Sequence, residues 1–419
     1  MSLIRDAEIE NTIRQFAAPI FRAADLDPSI VKIHLVKDNS INAFVAGGQR
    51  VFVFTGLITN ASSAGQIIGV IAHETGHISG GHLARIHDEL KKASATTILS
   101  MLIGAVAIGA GRGDVAGIAL LAGQGLAQSN FLKYSRTQEA AADQAGLRYL
   151  DKTKLSAKGF LDFMNLLGEQ ELLLTDNQDP YVRTHPLTRR RVENIAQHVS
   201  NSPYSNNPIP EELEKAYRRA KAKLYGYLNP IGHTVRVYKE SDNSLESRYA
   251  RAIGHYRKGD LAKALPLVNG LIAENPRDPY FWELKGQMLF ENGDAKAALK
   301  PYQAAVDFLP DNGLLRVGLA RVQLALNDPE LLDPAIKNLG VAVTDERNSS
   351  FIWRELAIAY ARKGDKGRSS LALAEAAMLN GKKSEARFHA GRAERLFPRG
   401  SREWLQAQDI LLAAEVKKK

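Results

Sequence analysis

The stretch Gln66-Ile67-Ile68-Gly69-Val70-Ile71-Ala72-His73-Glu74-Thr75-Gly76-His77-Ile78 decides how the N-terminal half of this chain folds. Its apolar residues at 67, 68, 71, 72 and 78 follow a helical rather than an alternating pattern, and Ser62 or Ser63 is the expected N-cap. On a helix, His73 and His77 lie about 40° apart on one face, where both imidazoles can close on a single ion. Glu74 stands at the edge of that face. Such an HExxH helix is half of a catalytic zinc site, in which the carboxylate takes a proton from the attacking water. One Zn²⁺ per chain is therefore the expected cofactor.

A third ligand has to come from elsewhere. While the helix continues, His82 lies roughly 140° round from His77 on the wrong face, and His87 lies about 15 Å along the axis. Ser135-Arg136-Thr137-Gln138-Glu139-Ala140-Ala141-Ala142-Asp143 offers Glu139 and Asp143 at i and i+4 on a helix crowded with alanine, which lets another helix approach closely. Glu139 is the expected zinc ligand. Asp143, one turn on, is placed to hold the free nitrogen of a ligand histidine and fix its tautomer.

Together, His73-Glu74-x-x-His77 and Ser135-Arg136-x-x-Glu139-x-x-Ala142-Asp143 resemble the gluzincin-type zinc peptidases related to the CAAX prenyl proteases. The likeness extends upstream to Asn42-Ala43-Phe44 and Thr55-Gly56-Leu57, and downstream to His185-Pro186 with Arg191-Val192. With the repeats described below, it implies bacterial periplasmic proteases that handle outer-membrane proteins. Substrates would then be unfolded or outer-membrane proteins, and the repeats would engage the outer-membrane assembly machinery. Met1 to Glu8 carries charge and no apolar core, so it does not direct export as it stands. A periplasmic placement carries the expectation that a signal peptide has been removed.

Composition narrows the classes. The 419 residues, 45% hydrophobic, suffice for two or more domains with proper cores. The net charge of +9 is scattered apart from Arg189-Arg190-Arg191 and Lys417-Lys418-Lys419, without interleaved aromatics, so no nucleic-acid partner is expected. The absence of cysteine fits an export route and excludes lipid attachment through that residue.

Before the zinc helix, Ile33-His34-Leu35-Val36, Ala43-Phe44-Val45-Ala46 and Arg50-Val51-Phe52-Val53-Phe54-Thr55 read as short strands. An edge strand, assigned to 43–46, would hold a substrate backbone over the metal as an added strand. Between the zinc motifs, the uncharged runs of 93–111 and 115–125 read as an apolar helical hairpin turning at Gly111-Arg112-Gly113, with peripheral membrane contact at its tip as a secondary expectation. A bilayer span there would separate ligands that must meet.

Pro180 to Pro186 reads as a loop ending in a helix at Leu187. Its His185 would approach the zinc's open position, either stabilising an oxyanion or acting as a fourth ligand that keeps the resting site shut. Arg191 would support the acid ligand from behind.

Residues 201–210, rich in Asn, Ser and Pro, read as a linker followed by a helix near 211–225. From about Ser247 the chain repeats. Gly259-Asp260, Gly293-Asp294 and Asn327-Asp328 are 34 residues apart, as are Ala252, Gly286 and Ala320. That period, with small residues at helix crossings and Pro276 and Pro310 at unit ends, resembles the tetratricopeptide repeat. Gly364-Asp365 follows after 37 residues, which requires an insertion around 329–334.

The expected fold is mainly α with a small β-sheet: a zincin-like metalloprotease domain at 1–200, a linker and connecting helix at 201–246, and an α-solenoid at 247–419. The expected function is a zinc endopeptidase of misassembled envelope proteins, with Glu74, His185 and Asp143 in catalytic roles and His73, His77 and Glu139 on the metal. The alternative is a chaperone or adaptor of outer-membrane assembly whose protease site is mostly latent.

Overall fold

A computed structural model describes residues 2–46, 49–82, 136–173 and 185–415. The chain divides into two compact units, residues 1–225 and 226–419. The 93–125 hairpin, His87 and the 180–184 loop lie outside the described residues.

The first unit opens with β1 (Leu3–Ile4) and α1 (Ala7–Ala23), whose N-cap Asp6 accepts from the amides of Glu8 and Ile9. Three strands follow: β2 (Lys32–Val36), β3 (Ala43–Ala46) and β4 (Arg50–Phe54). The sheet order is β1-β2-β4-β3, with β2 and β4 parallel and the other two pairs antiparallel. Alternation is visible in β4, where Val51 and Val53 are buried and Phe52 between them stacks on Phe44 of β3. β3 stands at one end of the order, where the sequence put it; β1 is a strand it did not foresee. Thr55, read as the end of a strand, instead starts α2 (Thr55–Asn60), its hydroxyl tied to the backbone of Asp38.

The helix α3 (Ala64–Ser79) is buried from Ala64 to His77, so it is a central rod covered on all sides. Ser63 occupies its N-cap position but makes no side-chain cap bond. The Glu214 carboxylate accepts from the Ala64 amide at 3.1 and 3.2 Å instead, from 150 residues away. Two helices pack on this rod: α4 (136–152) and α5 (Lys158–Leu173). Glycines permit the approach. A Cβ on Gly76 would lie 2.6 Å from the Ala142 carbonyl of α4, and one on Gly69 would lie 2.5 Å from Phe160 Cβ of α5.

Next come α6 (Arg189–Asn201) and α7 (Glu211–Leu228). The first starts two residues later than Leu187, because the Thr188 hydroxyl caps it by accepting from the Arg191 amide. Tyr217 of α7 is buried with its hydroxyl on the Ala61 carbonyl just ahead of α3, while Lys223 pairs with Asp6 at 2.8 Å and Glu8 at 3.2 Å beside α1.

In the second unit, helices pair at the period read from the sequence: Leu245–Arg257 with Leu261–Glu274, Pro279–Glu291 with Ala295–Phe308, Gly313–Ala325 with Leu332–Asp345, and Ser350–Arg362 with Lys366–Leu379. Two further helices, Lys383–Leu396 and Arg402–Ala414, continue the array. The turn residues Gly259, Gly293, Asn327 and Gly364 all take positive φ. Asp260, Asp294 and Asp365 then cap the second helices. A 3₁₀ turn at Pro329–Leu331 fills the place of the insertion. Among the described residues no helix is long and apolar enough to cross a membrane.

Candidate metal centre

Helix α3 carries His73, Glu74 and His77 into the interior, α4 brings Glu139 and Asp143, and the segment ahead of α6 brings His185; all six are buried. The fold therefore gathers every site residue that the sequence singled out. His77 Nε2 lies 3.1 Å from His73 Nε2 and 3.3 Å from Glu139 Oε1, and His73 Nε2 lies 3.4 Å from Glu139 Oε2. His185 Nδ1 is 3.3 Å from His73 Nε2 and 3.2 Å from both Glu139 oxygens.

These spacings admit one ion. Ligand atoms held tetrahedrally at about 2.0–2.1 Å from zinc stand about 3.3–3.4 Å from one another. The observed separations fall on or near those edges, and the donors, imidazole nitrogen and carboxylate oxygen, are the ones zinc takes. One ligand atom from each of His73, His77, Glu139 and His185 lies within 4.8 Å of the others.

A layer of partners holds the cluster. Asp143 Oδ1 is 2.8 Å from His73 Nδ1, the support its i+4 position predicts, and leaves Nε2 facing His77, Glu139 and His185. Arg191 donates to Asp143 through Nε at 2.7 Å and Nη2 at 2.8 Å, while its Nη1 lies 3.0 Å from Glu139 Oε2. That buried guanidinium touches both acids at once, bidentate on Asp143 and through its third nitrogen on Glu139.

Charge states follow from these contacts. Burial pushes His73 down, but its bonds to Asp143 and Glu139 outweigh burial and raise it to about 9. Burial takes His77 the other way, to about 3. Although burial alone would raise Glu139 and Asp143, the first is held well below the carboxylate range by His185 and the other histidines, and the second by Arg191 and His73.

Glu74 differs from both. It is fully buried, neither carboxylate oxygen has a hydrogen-bond partner among the described residues, and His185 Nε2 stands 3.5 Å from its Oε1. Burial raises its pKa. An acid set against the cluster with unsatisfied oxygens is suited to receiving and returning a proton.

One residue escaped the sequence reading. Helix α3 ends at Ser79, and Gly80-Gly81 turns the chain so that His82 is buried with Nδ1 2.9 Å from His77 Nδ1. Its exclusion assumed a continuing helix; the paired glycines were the signal that the helix stops.

Comparison with known proteins agrees with this geometry. Residues 4–199 match the model of peptidase family M48, and residues 249–313 match a tetratricopeptide repeat model. A beta-barrel assembly-enhancing protease of Yersinia pestis is 24% identical over 364 residues, covering 84% of this chain and 72% of that protein. Its Escherichia coli K12 namesake is 23% identical over 393 residues, 92% of this chain and 78% of that protein. A mitochondrial metalloendopeptidase of Bos taurus is 31% identical over 202 residues, 44% of this chain and 37% of that protein.

Proposed function

From a chain whose residues 4–199 form a peptidase family M48 domain, with tetratricopeptide repeats behind it, and which is therefore a metallopeptidase, we propose a zinc-dependent endopeptidase of unfolded or misassembled envelope proteins. His73, His77 and Glu139 are its zinc ligands. The observation that carries this is their mutual spacing of 3.1 to 3.4 Å. Zinc, when bound, supplies Lewis acidity, lowering the pKa of water to about 7 and polarising the scissile carbonyl.

The remaining chemistry belongs to the side chains. Glu74 accepts the proton of the attacking water and delivers it to the departing amine. Asp143 keeps His73 in the tautomer that presents Nε2, and Arg191 keeps Asp143 ionised and holds both acids in place. β3, at the sheet's end, is suited to hold a substrate backbone as an added strand. The peptidase domain spans 1–200, the connection 201–246 and the repeats 247–419. The repeats recruit substrate and outer-membrane assembly partners, a reading that the relatives' name, beta-barrel assembly-enhancing protease, supports, and the protein works in the periplasm.

One observation favours the latent form of this enzyme: His185 Nδ1 sits in the cluster as a fourth donor. A site with four protein ligands is closed until one withdraws. In that state the chain acts as an adaptor through its repeats. Glu74→Gln tests the catalytic reading: casein cleavage should vanish while zinc content stays at one per chain, and a purified variant that still digests casein would defeat it.

A further inference from the structure

Each histidine of the HExxH pair presents Nε2 to the cluster, so each needs a partner at Nδ1 to fix which nitrogen bears the proton. For His73 that partner is Asp143. For His77 it is His82, whose Nδ1 lies 2.9 Å from His77 Nδ1, with the two rings 4.9 Å apart and at 80° to each other. Building on the reading of His77 as a zinc ligand, we infer that His82 is a positioning residue for the metal. Its Nδ1 accepts the His77 Nδ1 proton and locks the His77 lone pair on Nε2.

The backbone just before it is shaped for the contact. Gly80 ends α3, and a Cβ there would lie 2.4 Å from His82 Nε2 and 2.8 Å from its Cδ2. Any side chain at 80 would drive the imidazole out of its seat. Gly81 follows with φ of 61°, the left-handed conformation that reverses the chain, and so brings His82 back over the last turn. His82 is 5% exposed. Gly80, Gly81 and His82 thus form one device: a stop, a reversal and a ring returned to the ligand it supports.

Asparagine is the discriminating replacement, because its side-chain oxygen occupies nearly the place of histidine Nδ1 and accepts the same proton. Leucine fills the space without accepting. Zinc affinity of the full chain, measured by competition with a chelating dye, should fall roughly 10-fold or more in His82→Leu, within the range for lost outer partners of a ligand histidine. His82→Asn should stay close to wild type, and Gly80→Ala should weaken zinc as His82→Leu does, though it leaves the imidazole in the sequence.

Melting of the chelated variants gives the second readout. Metal-free Leu and Asn variants that melt alike while differing in zinc affinity support positioning. Equal zinc affinity in all three variants and wild type, or equal losses in Leu and Asn, would overturn it. His77→Ala separates this from the underlying assignment: if that variant keeps wild-type affinity, the ligand reading itself has failed.

Discussion

His185 Nδ1 stands 3.2 to 3.3 Å from His73 and Glu139, within the 3.1 to 3.4 Å that the proposed ligand atoms of His73, His77 and Glu139 keep among themselves. A group that only greeted the developing oxyanion would stand off by the width of a substrate oxygen, so the geometry favours a fourth ligand. His185→Ala is then expected to retain zinc on three donors and to cleave casein several-fold faster than wild type. Were His185 instead the oxyanion donor, turnover would drop by roughly 10²–10³. A casein assay on zinc-loaded protein distinguishes the two. The sequence singled out His73, Glu74 and His77 as candidates because helical spacing fixes their mutual geometry within five residues. It singled out Glu139 and Asp143 as one face of a helix for the same reason. His82 stayed hidden because its place depends on where the helix stops; Arg191 was expected behind Glu139, where it stands, but its second hold, on Asp143, depends on a fold that joins α4 to α6.

Helix α4 carries Glu139 and Asp143, so its distance from α3 sets the size of the metal centre. Gly76 determines that distance: a methyl group there would lie 2.6 Å from the Ala142 carbonyl oxygen and 2.9 Å from Ala142 Cα, both backbone atoms without a rotamer to yield. Gly76→Ala should therefore push α4 outward, costing about 1–3 kcal/mol of stability as an overpacked core does and weakening zinc as well. Gly232, where a Cβ meets nothing within 4 Å, is the control. Urea titration with zinc competition on both variants checks this, and wild-type affinity in Gly76→Ala would show that α4 does not gauge the site. The alanines of 140–142 announced close packing in the sequence. The strands β2, β3 and β4 were legible from their β-branched and aromatic residues. β1, two residues long, has no period to detect, and the α3 cap came from Glu214, a partner no local pattern can identify. Local rules see what local residues decide.

Each unit buries its own apolar residues. In the first, Phe16, Phe160, Phe163 and Tyr217 are buried; in the second, clusters around Phe281, Leu339 and Ala390 follow the repeat from one helix pair to the next. The repeat was readable because its period survives in turn glycines and capping aspartates, which serve each helix pair alike. All the proposed zinc ligands lie in the first unit, and a ligand stabilises what binds it by mass action, about 2.7 kcal/mol at a free concentration 100 times its dissociation constant. Removing zinc should therefore lower the melting of residues 1–225 and leave that of the repeats where it was. Scanning calorimetry of the full chain with and without chelator is expected to show two transitions, of which one moves. The Glu139→Gln variant should reproduce the chelated trace without any chelator. One transition that shifts as a whole would mean that the repeats and the metal centre fold as a single cooperative body. In that case an adaptor role for the repeats could not outlast the loss of zinc, and the protease and adaptor readings would merge into one.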